Sequence, residues 1–247
     1  MISFVALYKV FLKHQLTKGR LFLIAALTLT SLSLAWLIRS QATTEVEILD
    51  GSLQLVILFG TNLMVPIISL ILASGTLGQL VEDETLVYLW LRPNNRFLLA
   101  ISSWLATATV VIPTCAIPLL ISAGIASRDW GLAVNTFVGV TVGCLTYSAV
   151  FILLGLLTKK STITGLLYIF IWEALIVTAI GLTTPIGKLS IVYYIRSIIG
   201  EYASNTASDF EQFVSTSSIS TSITVLIVIS AVGVALTSLR LSKMDVA

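Results

Sequence analysis

Six long apolar runs, with one charged side chain among them all, set the terms for this 247-residue chain. They lie at about residues 21–38, 53–78, 98–126, 131–157, 164–184 and 223–239. A helix needs roughly 17–25 residues to cross the hydrocarbon of a bilayer, and every run reaches that length. Barrel strands would instead show segments of about ten residues with alternating polarity. These runs do not alternate, so the spacing predicts an all-α membrane protein of six transmembrane helices. Composition agrees: 57% of the residues are hydrophobic and 11% charged, with a mean hydropathy of +1.01. A soluble domain carries about 25% charged residues. A fold of this size in water would leave much of its apolar surface exposed. Soluble enzymes, nucleic-acid binders and disordered tails are excluded.

The first 20 residues differ from the rest. Phe4, Tyr8 and Phe11 recur at helical spacing, and Lys9 and Lys13 fall on another face, with Lys18 and Arg20 following. This pattern predicts an amphipathic helix on an anionic membrane surface. Residues 21–247 then form one membrane domain of six spans. The run at 21–38 exceeds the 7–15 residues of a signal-peptide core and reads as a retained first span.

Lysine and arginine orient the chain, because positive loops stay in the cytoplasm. The N-terminal helix, Arg92 and Arg96, Lys159 and Lys160, and Arg240 and Lys243 place ten basic residues on one face. Arg39, Arg128, Lys188 and Arg196 are assigned to the other. Both termini are therefore expected in the cytoplasm. Acids lean outward, with Glu45, Glu47, Asp50, Asp129, Glu201, Asp209 and Glu211 in external segments.

Little in the chain suits catalysis. Cys115 and Cys144 sit inside apolar runs and read as small buried hydrophobes. The single histidine, His14, reads as facing solvent or headgroups, so neither a catalytic triad nor a histidine metal site has its parts. Residues Gly181 to Lys188 faintly resemble a phosphate-binding loop. They have five residues between the glycines instead of four, and Leu189 after the lysine. The expectation is no catalytic residue, no metal and no nucleotide site in this chain.

Other features concern packing and the membrane interior. Pro113 and Pro118 should kink or tilt the third span. Gly139 and Gly143 form a GxxxG spacing that lets a helix approach closely, more simply within the chain than across a dimer. Glu173 stands near mid-bilayer beside Trp172, where an ionisable group is expensive. Two readings stay open: a group lining a transport path, or a carboxyl hydrogen-bonded to a neighbouring helix. Leu189, Val192, Ile195, Ile199 and Tyr202 space an external amphipathic helix ending near Gly200, either a lid or a helix resting on the outer leaflet.

The segment between the second and third runs is the most informative. Glu82, Asp83 and Glu84 precede Thr85 and an apolar stretch, as acids do at a helix N-terminus. Leu86, Leu89 and Trp90 share one stripe, Pro93 ends it, and Arg92 and Arg96 lie at its close. By itself this is a short interfacial helix. From Gly78 to Arg96, however, the order of small residues, acids, Thr-Leu and Leu-x-x-Arg-Pro-x-x-Arg resembles the coupling segment of type-2 ABC exporter permeases. Glu84 departs from the more usual glycine or lysine, and Asn94-Asn95 from small or hydroxyl residues. The six-span plan and the N-terminal helix fit as well, so the resemblance covers nearly the whole chain.

That resemblance implies a permease subunit of an exporter in a prokaryotic inner membrane, paired with a second permease copy and with cytoplasmic P-loop ATPases that bind ATP and Mg. It further implies that Glu82, Asp83, Glu84, Arg92 and Arg96 contact the ATPase while Leu86, Leu89 and Trp90 seat the helix. The scarcity of intramembrane charge favours an apolar or amphiphilic cargo. The alternative is a secondary transporter or channel driven by an ion gradient, which would call for clustered polar sites near the midplane.

Overall fold

The computed structural model describes residues 4–85, 95–158, 160–181, 185–204 and 217–243. Among them the chain is all helical, with five helices long and apolar enough to cross a membrane. The elements are α1 (Phe4–Gln15), α2 (Lys18–Gln41), α3 (Glu45–Glu82), α4 (Arg96–Ser127), α5 (Trp130–Leu157), α6 (161–181), α7 (Ile191–Ser204) and α8 (Ile219–Lys243). The five spans are α2, α3, α4, α5 and α8. The run expected at 164–184 begins as a shorter apolar helix, Ser161–Ala174, and its backbone stays helical to Gly181.

Helix α5 is central. It packs against α3, α4, α7 and α8, and its Tyr147 and Phe151 are fully buried. Helices α2 and α8 lie outside, with only 17% and 28% of their most apolar windows buried, against 67% for α3. Phe22, Leu29 and Trp36 of α2 and Ile227, Val232 and Leu239 of α8 accordingly point outward. Bilayer hydrocarbon is as apolar as these side chains, so such faces need no protein partner. What joins the helices is close packing and interhelical hydrogen bonding. Thr146 Oγ1 donates to the Leu226 carbonyl at 3.0 Å, Ser230 Oγ donates to Thr146 Oγ1 at 3.1 Å, and Trp104 Nε1 donates to the Leu145 carbonyl at 3.0 Å.

Several sequence expectations change. The N-terminal helix stops at Gln15, and Lys18 and Arg20 open the first span. Its inner face is Leu7, Phe11 and Gln15, turned against α4, whereas Phe4 is exposed. Protein as well as membrane surface therefore holds α1. The expected loop before the second span is helical from Glu45. Thr44 Oγ1 accepts from the Glu47 amide at 3.3 Å, and the Glu47 carboxylate accepts from the Thr44 amide at 3.3 Å, forming a capping box. The second span is thus 38 residues long and begins well before residue 53.

That long helix is irregular. It widens to π geometry at Leu55–Met64 and again at Ser74–Gly78. Pro66 follows the first widened segment; it has no amide hydrogen and crowds the preceding turn, which accounts for the local widening. The second contains Thr76 at φ −98°, ψ −107°, a break in helical geometry. In contrast, α4 runs unbroken through Pro113 and Pro118.

The external helix also differs from expectation. Helix α7 extends past Gly200 to Ser204. Ile191, Val192, Ile195, Ile198 and Ile199 are buried, and Leu189 is exposed. Helix α7 sits inside the bundle against α5 and α8 instead of resting on a leaflet.

Candidate functional site

Three polar assemblies stand out on this apolar scaffold. The first lies where α3 ends. Glu82 is the last helical residue, and Glu84 takes a left-handed φ of 54° that closes the helix. The acids therefore terminate α3, at the unfavourable end of its dipole, and the helix expected after them lies outside the described residues. The Glu82 carboxylate is compensated by another helix start: it accepts from the Ser161 amide at 2.8 Å and from Ser161 Oγ at 3.3 Å. This cap ties α3 to α6. Beside it Gly78 and Gly155 nearly touch, since a Cβ on Gly155 would lie 3.0 Å from the Gly78 Cα. Arg96 is the first residue of α4, behind Asn95, whose side chain accepts from the Phe97 amide at 3.0 Å. Leu86, Leu89, Trp90 and Arg92 lie outside the described residues, as does Lys159.

The second assembly joins α1 to the break in α3. His14 Nδ1 donates to the Gly75 carbonyl at 2.9 Å, so Nδ1 carries the proton. Arg20 donates to the His14 carbonyl at 3.1 Å and to Gln79 Oε1 at 2.9 Å. Gln15 Nε2 donates to Thr107 Oγ1 at 3.1 Å, and Tyr8 to Thr109 Oγ1 at 3.0 Å. His14 is exposed, in keeping with its reading as a solvated or headgroup-facing residue, and it is also engaged with protein. Departure from α-helical bonding at Ser74–Gly78 is what leaves a carbonyl there for it.

The third assembly is buried and centres on Glu173, which is 3% exposed. Its carboxylate accepts from the Tyr168 hydroxyl at 3.0 Å, from Ser190 Oγ, and from the Ile191 amide at 3.2 Å. The last two lie at the start of α7, where Ser190 Oγ also accepts from the Tyr193 amide at 3.3 Å. Glu173 is therefore the cap of α7. Tyr168 meets Phe151 edge-on at 6.0 Å, and Phe151 stacks on Tyr147 at 5.5 Å, an aromatic column leading back into α5.

Arg196 completes this assembly. It is 2% exposed and donates to Asn62 Oδ1 at 2.9 Å, inside the first widened segment of α3. Glu173 and Tyr147 both lie within its electrostatic reach. A buried guanidinium is tolerable only with such company. Counted by sequence among the charges of the outer face, it is instead buried within the bundle. The sequence held a signal for this, because Ser190 precedes an apolar-periodic stretch as an N-cap would, and Arg196 falls within that stretch.

Gly139 and Gly143 face the same helix. A Cβ at Gly139 would lie 3.4 Å from the Ile195 carbonyl, and one at Gly143 would collide with the Ile195 side chain. The close approach brings α5 against α7, inside the chain. Among the described residues no three His, Cys, Asp or Glu side chains converge as metal ligands. Cys115 and Cys144 are buried and unbridged.

Comparison with protein-family models finds none that matches, and comparison with curated proteins finds no match. Helix length and hydropathy establish a multi-pass membrane protein, folded as an all-helical bundle around α5 and carrying a buried carboxylate–guanidinium assembly.

Proposed function

We propose that the chain is the permease subunit of an ATP-binding-cassette exporter for an apolar or amphiphilic substrate, in a prokaryotic inner membrane. Separate cytoplasmic P-loop ATPases would hold ATP and Mg, and a second permease copy would complete the pathway. The observation that carries this reading is the segment from Glu82 to Arg96, whose residue order matches a coupling motif. Both its ends are tied to spans: Glu82 to the start of α6, and Arg96 at the start of α4. A force on the segment thus pulls on α3, α4 and α6 together. ATP binding to the partner would bias these helices between inward-open and outward-open states, limited by its differential affinity for the two. A sixth crossing by α6, with both termini cytoplasmic, belongs to the same reading.

The test is affinity purification of the full chain in mild detergent, followed by ATP-driven transport in proteoliposomes. A stoichiometric P-loop ATPase should co-purify. Glu84→Lys and Arg92→Glu should insert normally and lose ATP-driven transport, and retention of transport in both variants would sink the assignment.

One observation favours a second reading, a transporter driven by an ion gradient. Glu173 does not stand alone in the membrane: Tyr168 and Ser190 donate to it, and Arg196, bonded to Asn62, lies within its electrostatic reach. Clustered polar groups of this kind mark ion or proton pathways. Transport that survives ATP depletion and collapses with the proton gradient would select it.

A further inference from the structure

A groove of about 390 Å³ opens where α2 ends, α3 begins and α4 turns into α5. It lies at the end of the bundle opposite Glu82, because Arg20 at the other end of α2 meets Gln79 near the end of α3. The distribution of lysine and arginine puts this end outside the cytoplasm. Trp36, one turn before the groove, and Trp130, just after it, are 66% and 72% exposed. Exposed tryptophans at helix ends mark the headgroup level of a bilayer. The groove is therefore at the depth of lipid headgroups.

Its lining combines Arg39 and Arg128 with Glu45 and Asp129, over an apolar side made by Val46 and Leu49. Among the described residues the side chains of Arg39, Arg128 and Glu45 make no hydrogen bond or ion pair, although they share one groove. Asp129 uses Oδ1 to accept from the Gly131 amide at 2.8 Å, which fixes the carboxylate at the rim. Two cations and two anions thus face one space without neutralising each other. A zwitterion with one anionic and one cationic group satisfies both pairs, whereas a purely anionic ligand would meet the two carboxylates.

We propose that this groove binds the headgroup of a phosphoethanolamine lipid, with Arg39 and Arg128 on the phosphate and Glu45 and Asp129 on the ammonium. Guanidinium groups match phosphate oxygens with paired N–H donors. A primary ammonium offers three N–H donors to carboxylates. A choline group offers none and is held by aromatic cages, and among the described residues no aromatic side chain lines this groove. Val46, itself 67% exposed, and Leu49 are placed to meet the first methylenes of the lipid. The assignment does not depend on how transport is powered.

The experiment uses the full chain, delipidated in mild detergent and titrated with dioleoyl phosphatidylethanolamine, phosphatidylcholine or phosphatidylglycerol, with bound lipid read by native mass spectrometry. Wild type should prefer phosphatidylethanolamine by about fivefold or more, as charge-assisted hydrogen bonds would give. Arg39→Gln and Arg128→Asn should each weaken it about tenfold, the loss of one charge-assisted contact. Asparagine is chosen at 128 because that residue has a left-handed φ of 57°. Glu45→Gln, at an exposed position, should abolish discrimination against phosphatidylcholine and leave phosphate binding in place. Melting in lipid-free detergent checks that each variant is folded, and Glu45→Gln keeps the test decisive where an arginine variant is not. Equal binding of the three lipids by wild type, or unchanged selectivity in Glu45→Gln, would overturn the proposal. So would glycerophosphoethanolamine without acyl chains competing as well as the lipid, which would assign the groove to a soluble phosphoester.

Discussion

Glu82 and Glu173 perform the same local task in different solvents. Each carboxylate accepts a serine hydroxyl and a backbone amide at the start of another helix, Ser161 for one, Ser190 and Ile191 for the other. Glu82 is exposed at the bundle's end, and Glu173 is buried with a guanidinium nearby. Water can replace what Glu82 provides. Inside the bundle nothing replaces Glu173, because each donor it leaves behind would be buried without a partner. The same cap is thus a modest clamp at one place and an organising centre at the other.

The largest effect should come from Glu173→Ala. Removing the carboxylate leaves the Tyr168 hydroxyl, the Ser190 hydroxyl and the Ile191 amide without their acceptor, at about 1–3 kcal/mol for each buried donor, so the thermal melting point in detergent should fall steeply and the protein should become prone to aggregation. A loss no larger than that of Glu82→Ala would break the comparison outright. Next, Glu173→Gln and Arg196→Met should couple by about 1–3 kcal/mol in a double-mutant cycle, because Arg196 lies within electrostatic reach of Glu173. Independent effects would separate Arg196 from the assembly.

Gly143→Ala tests the flank of α7, the helix that Glu173 caps. Its Cβ would press on Ile195, and such overpacking costs about 1–3 kcal/mol. Adding Ile195→Val should restore part of the loss in the same melting assay. The smallest effect belongs to Glu82→Ala, about 1 kcal/mol for a lost cap. Ser161→Ala should lose a similar amount, and the double variant little more than either. Additive losses would mean that Glu82 and Ser161 act on different partners.

The sequence made the apolar spans legible because a helix in hydrocarbon must be long and nearly uncharged, and that demand is written into every residue of a run. Five of the six expected runs are helices of sufficient length and apolarity. The start of α3 was legible too, in Thr44-x-x-Glu47, yet it reads as loop when apolar runs alone are counted. Polar partners were harder. Glu173 announces itself as an intramembrane acid, whereas two of its donors come from residues 17 and 18 positions later in a segment that looks external. Arg196 was misread for the same reason. In a chain reading, charge outside an apolar run looks solvated, and only packing against α5 shows that α7 carries its arginine inward.

What the sequence alone determined is the solvent of this protein. Composition and run length leave a bilayer as the environment and helices as the spanning elements, because every backbone polar group in hydrocarbon must be bonded within its own segment. Tertiary structure decided which polar groups meet. His14 on the Gly75 carbonyl, Glu82 on Ser161, Glu173 on Ser190 and Arg196 on Asn62 join residues far apart in the chain through hydrogen bonds a few ångströms long. Such contacts require particular helix positions and rotations, and a hydrophobic run specifies that a helix crosses without specifying which neighbour its polar residues face.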